Sequence, residues 1–145
     1  MAALTITQNV LINSATRRQI QYTVLTPATP TQASNTILYD PTASPFSTAG
    51  AYVGTKIRGV KVASSTQGAS GTQASCYLTF DASTPVVACS IPCNSAFSYH
   101  SSDKDMSSAI IPNSGGSGVT GKIGLTTNGL VAGDTITIIL DIING

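Results

Sequence analysis

Two cysteines, the only histidine of the chain and two aspartates fall within CSIPCNSAFSYHSSDKD, residues 89–105. In a metal site, Cys89, Cys93 and His100 would be ligands and Asp103 a fourth. Structural zinc sites usually follow one short Cys spacing with a second pair, whereas C-x3-C stands alone here. In a nucleophilic pair, His100 would deprotonate the Cys93 thiol, since adjacency in space rather than in sequence is what counts. Neither residue lies in a catalytic signature, and no serine sits in a G-x-S-x-G elbow. Asp103 and Asp105 flank Lys104 without the Gly and Glu of a calcium loop, so they read as a solvated turn. The glycine-rich SGGSGVTGKIG follows Lys122 with Ile123 instead of Ser or Thr and leads into a strand, unlike a phosphate loop. The expectation is a protein that is not an enzyme, with no catalytic, cofactor or metal residues.

Ordinary structure accounts for the same stretch. Cys76, Leu78 and Phe80 share one face of a strand, Val87, Cys89 and Ile91 share a face of the next, and DASTP joins them as a hairpin. With a short turn, Phe80 faces Pro85, Leu78 faces Val87 and Cys76 faces Cys89. Both thiols are then core side chains, the usual fate of free cysteine, although opposed strand residues also approach closely enough for a disulfide. Pro92 ends the second strand, and residues 93–105 follow as a loop interrupted by Phe97 and Tyr99.

The elements around these residues follow from composition. Only 9% of the 145 residues are charged, against about 25% in a typical domain. Every acid is Asp, Trp is absent, and Ser and Thr fill about a quarter of the chain. Surface-helix formers are scarce, while Thr, Val, Ile and Tyr suit a pleated, half-buried surface. Residues 1–145 are expected to form a single all-β domain, an antiparallel β-sandwich or jelly roll of about eight or nine short strands. The net charge of +1 supplies no broad basic field for nucleic acid or an anionic membrane. No signal-like or membrane-spanning apolar run is read in the chain. With a mean hydropathy of +0.20, much of the surface is expected to be covered by other subunits.

Alternation places the strands. Leu4 and Ile6 begin the first, and Ile20, Tyr22 and Val24 oppose Gln19, Gln21 and Thr23 in the next. Further strands are expected at 36–39, 52–63, 107–111 and 119–125, with Gly54 and Gly59 marking a bulge or a close backbone approach. In the last strand Ile136, Ile138, Leu140 and Ile142 share one face; Ile139 and Ile143 make the other face apolar too, so a partner or a loop should cover it. Residues near 26–36, 64–75 and 112–118 are expected to be exposed loops able to order against neighbours.

Five of the seven basic residues occupy two short segments: Arg17 and Arg18, and Lys56, Arg58 and Lys61. One reading makes them edge charges that discourage aggregation. The other makes them a contact patch for an acidic protein surface, with the guanidinium forks of Arg17 and Arg18 the better candidates for gripping carboxylates.

A Thr-, Ser-, Ala- and Gly-rich all-β chain that opens with LTITQNVLIN and closes with AGDTITIILDIING resembles the small head decoration, or cement, proteins of tailed bacteriophages. The resemblance covers the whole chain in style, and no functional position is transferred from it. It implies a virion protein made in the host cytoplasm, a homotrimer that binds the major capsid protein on the outer capsid surface and stabilises the shell by bridging neighbouring subunits. The alternative is a receptor- or carbohydrate-binding β-module of a phage fibre or bacterial surface, with Tyr39, Tyr52, Phe97 and Tyr99 as the aromatic platforms.

Overall fold

The computed structural model describes residues 2–14, 17–43, 46, 56–65, 74–91, 96–100, 118 and 120–143. They form strands β1 (Ala2–Ala3), β2 (Thr5–Asn13), β3 (Arg17–Leu25), β4 (Pro30–Thr31), β5 (Thr36–Tyr39), β6 (Lys56–Ser65), β7 (Ser75–Phe80), β8 (Val86–Ile91), β9 (Ala96–His100), β10 (Ile123–Asn128) and β11 (Thr135–Ile143), with no helix among the described residues. One antiparallel sheet has the order β2-β3-β11-β6-β9 and the other β5-β10-β7-β8; β1 and β4 form a short parallel pair. The fold is a small all-β sandwich.

Period-two alternation builds its centre. In β3, Arg18, Ile20, Tyr22 and Val24 point inward, and the residues between them lie on the outer face. In β11, Ile136, Ile138, Leu140 and Ile142 are all at most 1% exposed. They meet Leu78, Phe80, Ile91, Ile123 and Leu125 of the second sheet in one hydrophobic cluster, the arrangement that buries the apolar face of each sheet. The NGLVAGD turn reaches β11 through Gly129 and Gly133, whose φ angles of 82° and 87° favour a residue without Cβ. Asp134 closes this turn by accepting a 2.9 Å hydrogen bond from the Val131 amide.

Register shifts then break the alternation at four places, one of them at Leu38 of β5, where Ile123 lies opposite Tyr39 and Gly124 opposite Ile37. The register between β6 and β11 shifts at Arg58, beside the expected Gly59; β2 carries an extra residue at Leu11; β8 carries one at Ala88. Each inserted residue reverses the face taken by the residues beyond it.

The bulge at Ala88 corrects the hairpin register. Cys76 lies opposite Ile91 and Leu78 opposite Cys89, two positions along from expectation, while Thr79 lies opposite Val87. Ile91 is buried and Cys89 packs against the core, but Val87 is 57% exposed, because the extra residue sends it to the other face.

Local pattern also misplaced other boundaries. Ala96–His100, expected within a loop, is a strand paired with β6; the pairing is long-range and short flanking residues give little sign of it. The strand expected over 119–125 instead spans Ile123–Asn128. Ahead of it, Thr120 bonds Asp81 through both its amide and its hydroxyl, and Gly121 has a φ of 80°. Nor is 26–36 a free loop. The Gln32 side chain bonds the Leu130 carbonyl, the Ala33 amide bonds Thr127 Oγ1, and the Asn35 amide bonds Thr126 Oγ1, each at 2.9 Å. Residues 28, 29, 31 and 34 remain exposed between these ties. The 107–111 strand, Gly54, residues 66–73 of the second loop and residues 112–117 of the third lie outside the described residues.

Candidate functional site

The outer face of the five-stranded sheet gathers the two basic segments. Arg17 and Lys56 both lie opposite Ile143, on either side of β11, so their backbones are about 10 Å apart at the usual strand spacing. Lys61 lies opposite Ile139, and Arg58 occupies the bulge beside the pair formed by Gly59 and Asp141. In a regular strand Lys56 and Arg58 would share the inward face of Val60 and Val62. The bulge lets Ile57, Val60 and Val62 all be buried while Lys56 and Arg58 stay partly exposed and Lys61 exposed. Lys56, Arg58 and Lys61 therefore line the β6 side of Ile139 and Ile143, which are half-buried on the same face, and Arg17 lies beside Ile143 on the β3 side. An apolar centre within a charged rim is the usual anatomy of a protein-binding patch.

Asp141 is the carboxylate of this face. Arg17 grips it with two 3.0 Å hydrogen bonds, from Nε to Oδ1 and from Nη2 to Oδ2. This bond and the carboxylate's charge raise the Arg17 pKa against the opposing effect of burial. Asp141 is itself buried, and its ion pair with Arg17 leaves the Arg17 side chain 37% exposed. Arg17 thus reaches the face already holding a carboxylate of its own chain.

Arg18 is a correction to the expected contact patch. It is 1% exposed and points into the sandwich, on the side that alternation with Ile20, Tyr22 and Val24 dictates. Its Nη1 donates to the Tyr39 hydroxyl at 2.7 Å, its Nη2 to the Phe46 carbonyl at 3.1 Å and its Nε to Asn13 Oδ1 at 3.0 Å. The guanidinium also sits 5.0 Å from the centroid of the Phe46 ring, a cation–π distance. Its forked donors organise the core instead of a partner. Parity along RRQIQYTV could have shown this from the sequence.

The same cluster withdraws Tyr39 from the aromatic platforms. The residue is fully buried, and its ring meets Phe46 edge-on with centroids 5.1 Å apart. Phe97 and Tyr99 belong to β9, opposite Val62 and Val60, and Tyr52 lies outside the described residues.

The cysteine-rich stretch is divided between sheets. Cys89 is on β8 of the four-stranded sheet and His100 on β9 of the five-stranded one, opposite Gly59. Neither Cys76 nor Cys89 is in a disulfide. Burial pushes the Cys89 thiol up to about 11, which keeps it protonated, and so a poor nucleophile, at neutral pH. Cys93, Asp103, Lys104 and Asp105 lie outside the described residues.

A second polar cluster was not anticipated from the sequence. Asn35 has a φ of 47°, a conformation that Asn tolerates better than most residues. Its amide nitrogen donates to Asp81 Oδ1 at 2.9 Å while its oxygen accepts from Thr79 Oγ1. Asp81 Oδ2 accepts from Thr120 Oγ1 at 2.8 Å. These bonds join three chain segments, a structural role. Elsewhere Lys122 lies 3.8 Å from the Asp40 carboxylate.

Comparison of the chain with protein-family models, with curated proteins and with solved structures finds no match.

Proposed function

We propose that the chain is a virion structural protein, a capsid decoration or cement protein. It binds the outer surface of the major capsid protein and stabilises the shell by bridging neighbouring subunits. The observation that supports this reading is the clustering of Lys56, Arg58 and Lys61 beside Ile139 and Ile143 on one sheet face, with the Arg17–Asp141 pair at its margin. Such a face suits an acidic protein surface, because the cations steer the encounter while the apolar centre excludes water. Elsewhere the scarcity of charge lets large areas be covered without stranding ionised groups, each of which would cost several kcal/mol to desolvate.

The test is addition of the purified protein to mature tailed-phage heads that lack a decoration protein. Wild type is expected to co-sediment with the heads and raise their disruption temperature, with binding weakened by salt. The double variant Arg58→Glu/Lys61→Glu should retain its fold and lose at least tenfold in affinity. Wild-type protein that does not bind, or a double variant that binds as tightly as wild type, would reject the reading.

A further inference from the structure

The five-stranded sheet ends on β2, and no described strand pairs with its outer edge. Native sheets protect such edges by keeping them short, charging them or bulging them. Among the described edges, β5 has four residues and β8 is bulged at Ala88. In β2 the bulge at Leu11 comes late, leaving the six residues Thr5–Val10 in unbroken register with β3. This run has no ionisable side chain, and Arg17 is the first in the chain to have one. Thr5, Thr7, Gln8 and Asn9 are exposed.

The inward side of β2 is also open. Gln8 lies opposite the buried Tyr22 yet is itself exposed, so the second sheet does not extend over it. Leu4 and Ile6 line a cleft of about 100 Å³ together with Ala33 and Thr36. A strand added to β2 would satisfy the free backbone groups of the edge and set its own inward side chains against this apolar margin.

We propose that the added strand is β2 of a second copy, paired antiparallel about a twofold axis through Gln8. Direct pairing keeps inward residues opposite inward residues. An axis at Gln8 sets Ile6 opposite Val10 and Thr7 opposite Asn9; an axis at Thr7 would instead set Ile6 against Gln8. A twofold axis also brings the residue lying on it against its own copy. Gln8 can satisfy that condition because an amide both donates and accepts. A charged residue there would meet its own sign, and the neutrality of Thr5–Val10 is what makes the edge self-complementary. This contact does not depend on the capsid reading. It makes a dimer, whereas the resemblance implies a trimer, so the native mass distinguishes the two.

Sedimentation velocity and native mass measurement of the full chain test it. Wild type is expected to be a dimer, and Gln8→Lys and Gln8→Glu each a folded monomer by circular dichroism. An equimolar mixture of the two variants should form a heterodimer, because opposite charges then meet on the axis. A monomeric or trimeric wild type, variants that keep the wild-type mass, or a mixture that stays monomeric would each overturn the proposal.

Discussion

Arg17 and Arg18 are adjacent in the chain and lie on opposite faces of one sheet: Arg17 pairs with Asp141 outside, and Arg18 bonds Tyr39 inside. Their removal should therefore have different consequences. Arg18→Ala deletes a buried cation together with its stacking on Phe46 and its hydrogen bonds to the Tyr39 hydroxyl and the Phe46 carbonyl; the expected cost is about 3–5 kcal/mol. Arg17→Ala leaves the buried Asp141 without its bidentate partner and should cost about 1–3 kcal/mol. Urea unfolding of the two variants checks the order, and equal losses would contradict the assigned faces.

Two buried tyrosines should respond in opposite directions to removal of the hydroxyl. Among the described residues the Tyr22 hydroxyl has no hydrogen-bond partner, and burial followed by the neighbouring Tyr39 drives its pKa well above the ordinary phenol value. Tyr22→Phe is expected to be neutral or to stabilise by about 1 kcal/mol. Tyr39→Phe removes the acceptor of a charged donor and should destabilise by about 1.5–3 kcal/mol. Thermal melts of both variants give the signs directly.

Gly124 is required by its neighbours, not by its backbone angles. A Cβ there would stand 2.8 Å from Thr79 Oγ1 and collide with Asn35 Oδ1, atoms held by the Asp81 network. Gly124→Ala should cost about 1–3 kcal/mol through overpacking. Combining it with Asn35→Ala should recover part of that cost in a double-mutant cycle.

Acid should loosen the fold at Asp40. Burial alone would raise its pKa, but hydrogen bonds from Thr42 and the charge of Lys122 outweigh this and hold it below the ordinary value. The folded state therefore prefers the ionised carboxylate. Its contribution is present above the unfolded pKa of about 4 and is lost as pH falls through the folded value. The stability gap between wild type and Asp40→Asn should be widest at neutral pH and close below about pH 4. A gap independent of pH in chemical denaturation would contradict it.

The Cys89 thiol should resist alkylation. At pH 7.5 Cys76 and Cys89 are expected to react with iodoacetamide at least tenfold more slowly in the native protein than in denaturant, as read by peptide mass mapping. Because the Cys89 pKa rises to about 11 on folding, its stabilising contribution holds below the unfolded thiol pKa of about 8.5 and fades as pH rises towards 11.

The sequence by itself determined the all-β class and the clearest strands. Composition disfavours surface helices, and the alternation of Ile20, Tyr22 and Val24, or of Ile136, Ile138, Leu140 and Ile142, is a local property that any register must respect. It also determined the inward side of Arg18, although chemistry suggested the opposite. Tertiary structure decided where the alternation breaks. Bulges at Leu11, Arg58 and Ala88 exist only relative to a partner strand, and each turns later side chains to the other face. For that reason Lys56, Arg58 and Lys61, of mixed parity in the chain, share one outer face, while Val87 leaves the side on which Cys89 packs. Arg17 and Asp141, 124 positions apart, meet because β3 and β11 pair, a consequence of burying two apolar faces together that short-range spacing does not encode.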